Sequence, residues 1–166
     1  ILTGLPASGK SWLGAQLARA LGWPLLDKDA FLEALYDQEG FSDMAGRQDQ
    51  SRRADRAFLT AAASTTKAVL VSFWRPLDST GASGTPLADL LDAPHQEICC
   101  LCPVETARHR FQTRSRHPGH LDASRSTADM SRQFTDYAAR LPLLPGAIRV
   151  DTSKPVDVAA LVASQD

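Results

Sequence analysis

The run Gly4–Ser11 constrains this chain more than any other feature. Its letters, GLPASGKS, fit the pattern G-x-x-x-x-G-K-[ST] at every fixed position and follow the apolar pair Ile1-Leu2. An amphipathic stretch from Ser11 to Leu21 comes next, so the run joins a strand to a helix. Glycines permit a tight turn in which backbone N–H groups surround phosphate oxygens, and the helix start adds partial positive charge. The pattern therefore predicts a loop that binds the phosphates of a nucleoside triphosphate.

The fixed positions of this loop have defined chemical roles. The Lys10 ammonium is expected to neutralise the β- and γ-phosphates, and the Ser11 hydroxyl to bind Mg²⁺. Because no N-K-x-D tetrapeptide supports guanine specificity, ATP and Mg²⁺ are the predicted cofactors. The expected nucleotide contacts of the loop are Gly4, Leu5, Pro6, Ala7, Ser8, Gly9, Lys10 and Ser11.

Length and charge limit the other classes of function. The 166 residues fit a single domain, 1–166, whose first strand is expected to be truncated because the chain starts within it and lacks an initiator Met. A net charge of −1 gives no overall attraction to nucleic acid or to anionic membranes, and no apolar run reaches the roughly 20 residues of a membrane helix. Cys99, Cys100 and Cys102 are expected to be buried thiols of a core strand, which fits a reducing cytoplasm. We expect a cytoplasmic monomer or homodimer.

Apolar, strand-like runs alternate with helical stretches along the whole chain. This alternation favours βαβ units, and hence a three-layer α/β P-loop fold with a five-stranded parallel sheet covered by helices on both faces. Loops are expected at 37–48 and 78–86, which are rich in polar residues and glycine. The expected strands are 1–2, 24–27, 67–73, 97–102 and 147–150. The expected helices are 11–21, 30–36, 50–64, 103–116, 127–141 and 155–162.

Two carboxylates lie at the end of the second expected strand, in Asp27-Lys28-Asp29. In an open α/β sheet, ligands bind beyond the carboxyl ends of the strands, where the phosphate loop also lies. Asp27 or Asp29 is therefore expected to orient or deprotonate an acceptor hydroxyl, or to hold Mg²⁺ through water. The structural alternatives are that Asp29 caps the next helix and that Asp27 is a surface turn residue.

The third expected strand ends without a carboxylate, in Val71-Ser72-Phe73-Trp74-Arg75. The acid that holds magnesium in many P-loop ATPases is therefore missing at that position. This absence favours a phosphotransferase whose acid lies on the second strand. Arg75 is expected on the ligand side of the sheet, where it would hold an anionic acceptor or the γ-phosphate.

An arginine-rich segment follows the fourth expected strand and is interrupted by a Pro-Gly break. Guanidinium groups clamp transferring phosphates, and a break between two helices permits closure over a ligand, so we expect a helical lid. Arg110 and Arg114 are expected on one face of its first helix. The alternative is a solvated basic face, and the two histidines of the break are expected to face solvent. The residues concerned are Arg108, Arg110, Arg114, Arg116, His117, His120 and Arg125.

With these pieces the chain resembles the small P-loop kinases. This group includes gluconate kinases, adenylylsulfate kinases, chloramphenicol phosphotransferases, zeta toxins and the kinase domains of polynucleotide end-healing enzymes. The resemblance rests on residues 4–11, Leu26-Asp27-Lys28-Asp29, residues 108–125 and Val150-Asp151-Thr152-Ser153, and it spans nearly the whole chain. It implies the strand order 2-3-1-4-5.

The resemblance also implies roles for individual residues. Lys10 and a lid arginine, Arg114 or Arg116, would act on the ATP phosphates, and Asp27 or Asp29 would contact the acceptor hydroxyl. The segment after the last strand often borders adenine in such kinases, which here implies nucleotide contacts from Thr152 to Lys154. Arg110 is also expected to contact the nucleotide, and Asp29 and Arg75 are expected to contact the acceptor.

The favoured function is an ATP-dependent kinase that transfers the γ-phosphate of ATP–Mg²⁺ to a hydroxyl of a small-molecule acceptor. One alternative is a polynucleotide 5′-hydroxyl kinase, which would need a basic, aromatic-lined groove that the balanced charge does not indicate. Others are a nucleotide-dependent switch or ATPase module of a larger protein, and a degenerate ATP-binding domain that regulates a partner. Residues 37–48 and 75–90 are expected to select the acceptor, but they match no pattern that identifies it.

Overall fold

The computed structural model describes residues 1–40, 44–79, 84–120 and 126–163. Its strands are β1 (Leu2–Gly4), β2 (Leu25–Asp27), β3 (Val69–Val71), β4 (Trp74–Arg75), β5 (Thr85–Pro86), β6 (Ile98–Leu101) and β7 (Ile148–Asp151). Its α-helices are α1 (Lys10–Leu21), α2 (Lys28–Glu39), α3 (Met44–Ala63), α4 (Val104–Thr113), α5 (Thr127–Ala138) and α6 (Val158–Ala163). Single turns of 3-10 helix occur at Ala88–Leu90 and Pro118–His120. Within these ranges, no helix is long and apolar enough to cross a membrane.

Five parallel strands form the central sheet in the order β2-β3-β1-β6-β7. Counted in chain order within that sheet, this is 2-3-1-4-5, so the predicted fold and strand order are confirmed. Leu2 of β1 pairs with Val71 on one side and with Ile98 on the other, which makes β1 the central strand. The short parallel pair β4-β5 is a second sheet that the sequence did not predict. Because the five strands are parallel, their carboxyl ends meet along one edge, where ligands bind in such sheets.

Helix α1 lies close against the central sheet and fixes the position of the loop before it. Leu13 and Leu17 are buried against the strands, as their helical spacing predicts. Gly14 permits the close approach, because a Cβ at this position would lie 2.6 Å from Cγ2 of Val71. Cys99 and Cys100 are buried in β6 as expected, while Cys102 is half-buried beyond its end. The start of α1 therefore sits rigidly at the ligand edge of the sheet.

Helix α2 starts earlier than its sequence pattern predicts. Asp27 is its N-cap, and its Oδ1 accepts a hydrogen bond of 3.1 Å from the backbone N–H of Asp29. The expectation that Asp29 caps this helix is wrong, because Asp27 has the extended backbone that the cap position requires and Asp29 already lies in the first turn. The expected loop 37–48 is also wrong for the most part, since α2 continues to Glu39 and α3 begins at Met44.

Helix α4 ends before the predicted break. Its last residue is Thr113, and Arg114 has an extended backbone, so Arg114 and Arg116 lie beyond the helix rather than on it. Arg110 and Arg114 therefore do not share a helical face. Pro118 prevents the helix from continuing through the break, because a proline inside a helix lacks the N–H donor and clashes with the carbonyl four residues earlier, here that of Arg114. The lid prediction for Arg125 lies outside the described residues.

Gly4→Ala is expected to destabilise the fold strongly. Gly4 ends β1 with φ +136°, and an added Cβ would lie 2.6 Å from Oγ of Ser8 and closer still to the backbone oxygen of Cys100. Left-handed strain and a forced backbone shift together predict a loss of about 3 kcal/mol or more in unfolding free energy. Urea denaturation measures this loss. Gly22→Ala is the matched control, because Gly22 has φ +65° and open space around it, so only the strain remains. Equal losses in both variants would contradict the explanation.

Candidate active site

The loop between β1 and α1 has the backbone of a phosphate cradle. Ala7 and Gly9 adopt left-handed conformations with φ of 61° and 95°, which for Ala7 is a strained geometry that surrounding contacts must maintain. The N–H of Ser8 donates to the carbonyl of Leu5 at 3.1 Å and closes the turn. The Ser8 hydroxyl is buried and has no hydrogen-bond partner in the described part of the chain. A polar group left open inside a strained turn suits a loop that completes its bonding on a ligand.

Lys10 lies folded over this loop. Its side chain is almost fully buried, and Nζ donates to the carbonyl oxygens of Gly4 at 2.9 Å and Leu5 at 2.7 Å. Burial lowers the pKa of Lys10 to about 8, although nearby Asp29 and Asp27 favour the charged form. The guanidinium of Arg114 acts in the same direction as burial. The predicted loop lysine, one lid arginine and both carboxylates are therefore close enough to interact electrostatically.

Asp27 lies beside Ser11 at the start of α1. The Ser11 hydroxyl favours the charged form of the Asp27 carboxylate and so lowers the pKa of this group. Burial raises the pKa of Asp27, and the neighbouring Asp29 adds to this rise. A hydroxyl and a carboxylate side by side are oxygen donors of the kind that Mg²⁺ prefers. These two residues fit the magnesium site that the loop implies.

Asp29 has a different electrostatic environment from Asp27. The partial burial of this half-exposed side chain would raise its pKa, but Arg116, His120, Lys28 and Lys10 outweigh that effect and lower it. Arg116 forms an ion pair with Asp29 through Nη2 and Oδ2. The two carboxylates thus differ in their surroundings, since Asp27 lies beside the phosphate-loop helix and Asp29 contacts the arginine of the segment after α4.

Arg110 and Thr152 meet beside the phosphate loop. Both terminal nitrogens of Arg110 donate to the carbonyl of Thr152 at 3.3 Å. The Thr152 hydroxyl donates to the carbonyl of Ser8 at 2.6 Å, and its Cβ lies 3.6 Å from where a Cβ of Gly9 would be. The end of β7 is therefore tied directly to the loop, at the place where the resemblance implies a nucleotide contact.

The remaining predicted arginines differ in their surroundings. The guanidinium of Arg114 lies 4.6 Å from the ring centre of Phe111 and is close enough to Lys10 to lower the pKa of its ammonium. Arg108 pairs with Glu105 of its own helix and donates to Ser131 of α5, so it joins two helices. Arg75 lies in β4 and donates to the carbonyl of Gly84 at 3.0 Å. A role for Arg75 in acceptor binding stays a prediction.

A chain of polar groups beside the carboxylates was missed by sequence reasoning. Lys28, between the two aspartates, donates from Nζ to Oγ of Ser51 at 2.8 Å and lies 3.6 Å from Oδ1 of Asp55. Thr85 donates to the same Asp55 oxygen at 2.6 Å and lies 2.5 Å from the Ser72 hydroxyl. The end of β3, which carries no acid of its own, is therefore linked to a carboxylate from α3. The spacing of Ser51 and Asp55, four apart on a predicted helix, was the available signal.

Comparison with known proteins supports this architecture. A family model described as an AAA domain matches residues 1–140. The chain is 61% identical to a shikimate kinase of Mycobacterium ulcerans over 33 residues, which are 20% of this chain and 18% of that protein. A candidate kinase of Chloroflexus aurantiacus is 26% identical over 99% of this chain and 95% of its own, with a TM-score of 0.75.

More distant solved structures share the fold. A shikimate kinase of Bacteroides thetaiotaomicron is 16% identical over 99% of this chain and 93% of its own, with a TM-score of 0.60. A gluconokinase of Sinorhizobium meliloti is 18% identical over 98% and 85%, with a TM-score of 0.58. The recognition of a small P-loop kinase from the sequence is confirmed. The chain belongs to the AAA domain family and has the fold of the small P-loop kinases.

Proposed function

We propose that the protein is an ATP-dependent phosphotransferase that moves the γ-phosphate of ATP to a hydroxyl group of a small molecule. The observation that carries this proposal is the convergence of Lys10, Asp27, Asp29 and Arg114 at the carboxyl edge of the sheet. A loop lysine next to two carboxylates in different electrostatic environments suits transfer between two oxygen atoms. Family membership and the fold support the same class of reaction.

The nucleotide would lie on Gly4–Ser11 with its base toward Arg110 and Thr152. Mg²⁺, when bound, would neutralise charge on the phosphates, and Ser11 and Asp27 are the residues that would hold it. Lys10 would exchange the carbonyls of Gly4 and Leu5 for phosphate oxygens. Because its ammonium is buried, the charge would act there with little screening by water.

Asp29 is assigned to the acceptor. Its lowered pKa keeps it ionised at neutral pH, so its oxygens can accept a hydrogen bond from the acceptor hydroxyl. As the hydroxyl oxygen bonds to the γ-phosphorus, the bond from that phosphorus to the bridging oxygen of ADP breaks. The hydroxyl proton passes to Asp29. Arg114 would stabilise the charge of the transferring group, and the products are a phosphate ester and ADP.

The first experiment measures ADP release from ATP–Mg²⁺ in the presence of separate acceptors. Solved structures with this fold include a shikimate kinase, a gluconokinase and a deoxyadenosine kinase, so the panel begins with shikimate, gluconate and deoxyadenosine. Other sugars, aminoglycosides, phenicols and a 5′-hydroxyl oligonucleotide complete it. Release that rises with one small molecule, with the phosphorylated product identified by mass spectrometry, is the expected result. Rapid release that no acceptor changes would replace the proposal with an ATPase module, and a response to the oligonucleotide alone with a polynucleotide kinase.

Nucleotide affinity is expected to fall as the pH rises above about 8. Burial lowers the pKa of Lys10 to about 8, so the ammonium is present below that pH and is lost above it. Phosphates favour the charged form, so binding of ADP–Mg²⁺ should take up a proton in this range, and the affinity should weaken by up to about tenfold per pH unit. Calorimetric titration between pH 7 and 9.5 tests this. Lys10→Met should bind weakly at every pH; a matching decline in that variant would assign the titration to another group.

A further inference from the structure

One face of α2 is covered by the chain segment that follows α4. This segment, residues 116–120, is called the docking arm here. Its partners on α2 are spaced at i, i+4, i+7 and i+8, which is one helical stripe. They are Asp29, Glu33, Tyr36 and Asp37. The stripe begins with the carboxylate assigned to the acceptor, so the arm and the acceptor site share a helix face.

Three polar contacts connect the docking arm to this stripe. Arg116 pairs with Asp29, and Nε2 of His120 lies 2.8 Å from Oε1 of Glu33. Nε2 of His117 lies 3.1 Å from Oδ1 of Asp37. The backbone N–H of Gly119 donates to Nδ1 of His117 at 3.1 Å, so a neutral His117 carries its proton on Nε2 and donates it to Asp37. The arm is therefore held at a single register along α2.

Tyr36 is the packing centre of the contact. Its ring stacks on His117 at 5.4 Å between centroids, and His120 meets it edge-on at 5.8 Å. Gly119 lies flat on the same ring, because a Cβ there would lie 2.6 Å from Cγ of Tyr36. From α3, Nε of Arg47 donates to the carbonyl of Gly119 at 3.3 Å. His120 is 3% exposed, so the expectation that it faces solvent is wrong.

This packing has a consequence for Asp29. The Asp29 side chain is 46% exposed, and an ion pair at that exposure contributes little stability and does not by itself order the end of a chain segment. Residues 114–117 have no regular secondary structure that would fix the direction of the Arg116 side chain. The buried contacts of Tyr36, Gly119 and His120 supply the order that the ion pair lacks.

We propose that Tyr36, Gly119 and His120 are positioning residues that hold Arg116 against Asp29 and thereby orient this carboxylate for the acceptor hydroxyl. The proposal rests on the proposed function for the role of Asp29. It assigns the Pro-Gly break a second role beside closure. Because Gly119 has no side chain, the backbone of the break can pack directly on the ring of Tyr36 in α2. The arm thus acts on phosphoryl transfer through Asp29 without touching the reacting atoms.

Gly119→Ala is the first test, because it adds one methyl group toward the Tyr36 ring and changes no charge. At pH 7, the NMR signal of the Asp29 carboxyl carbon, assigned by its loss in Asp29→Asn, should move in this variant toward its position in Arg116→Ala, where the ion pair is absent. With the best acceptor of the panel, kcat/KM for the acceptor should fall at least about tenfold, since small misplacements at a reacting centre are costly. ADP–Mg²⁺ affinity should stay unchanged. Glu39→Gln, which alters an exposed partner of Arg53 at the end of α2, is the control.

The double variant Tyr36→Ala with Gly119→Ala separates docking from a general structural effect. Tyr36→Ala removes the ring that the added methyl group would meet. Adding Gly119→Ala to it should therefore cause no further loss of kcat/KM for the acceptor. Losses that multiply would overturn the proposal, as would an Asp29 carboxyl signal that stays at its wild-type position in Gly119→Ala. Because Tyr36 is buried, a second pair of variants tests the contact while keeping the Tyr36 ring. His120→Ala should lose the contact with Glu33 and, with it, activity. Glu33→Gln keeps an acceptor for His120 and should retain activity. If the wild type phosphorylates no acceptor, the proposed function fails, while the Asp29 carboxyl signal still decides whether the arm holds Arg116 against Asp29.

Discussion

Lys10→Ala is expected to lower phosphoryl transfer by at least about 100-fold while the protein remains folded. The loss follows from removing a cation that contacts the phosphates where water is excluded, and a single preorganised donor at such a site is worth about 100- to 1000-fold. Stability should not suffer, because burial lowers the pKa of Lys10 from its ordinary value of 10.5 to about 8. A group whose proton is held less tightly in the folded state destabilises that state at neutral pH, so the melting temperature should be unchanged or higher.

Steady-state kinetics with ATP and the best acceptor measure the catalytic loss, and thermal denaturation measures the stability. Lys67→Ala is the matched control, since Lys67 is an exposed lysine over the ring of Trp23, away from the phosphate loop. Retained turnover in Lys10→Ala would refute the assignment of the loop. A collapse of the melting temperature would instead show that the hydrogen bonds to Gly4 and Leu5 outweigh the burial of the charge.

The parts of the site that could be predicted from the sequence are those encoded by neighbouring residues. The phosphate loop is a contiguous pattern, so its strand, turn and helix follow directly from eight consecutive positions. Asp27 was placed correctly because the end of a strand is a local property and the parallel sheet brings strand ends to one edge. The strand order also followed, through the resemblance and the limited topologies of right-handed crossovers.

The parts that could not be predicted depend on contacts between distant segments. Arg116 and Asp29 are 87 positions apart, and nothing in either local sequence shows that they pair. His120 has the composition of a polar turn, yet Glu33 and Tyr36 bury it. The assignment of the helix cap to Asp29 failed for a smaller reason: two aspartates two residues apart are equivalent in the pattern, and only the backbone angles distinguish them.

A buried acid away from the site shows the same limit. Glu97 is 2% exposed, accepts from the Thr3 hydroxyl and accepts hydrogen bonds of 3.0 and 2.6 Å from the N–H groups of Leu143 and Leu144. It precedes β6, at the edge of the sheet opposite the phosphate loop. In the sequence it is one more charged residue, at the first position of an expected strand. Its surroundings satisfy it fully, which marks a structural role and distinguishes it from Asp27 and Asp29.

Asp29→Asn and Asp27→Asn are expected to impair the reaction in different ways. Asparagine at position 29 cannot accept a proton and loses the ion pair with Arg116, so kcat should fall by about 100- to 10,000-fold, the usual contribution of a general base. Its dependence on Mg²⁺ should match that of the wild type. Asparagine at position 27 remains a good helix cap, so the fold is kept. The loss of charge beside Ser11 should instead raise the Mg²⁺ concentration needed for half-maximal rate.

Magnesium titrations at saturating ATP separate the two aspartates because each assignment predicts a different recovery. The activity of Asp27→Asn should return toward the wild-type value as Mg²⁺ increases, since excess metal offsets a weakened site by mass action. Asp29→Asn should stay slow at every Mg²⁺ concentration, because metal cannot replace a proton acceptor. The reverse pattern would exchange the two roles and make Asp27, whose pKa burial raises, the base. Arg116 would then pair with the metal-side carboxylate, and a Gly119→Ala variant would be rescued by Mg²⁺ as well.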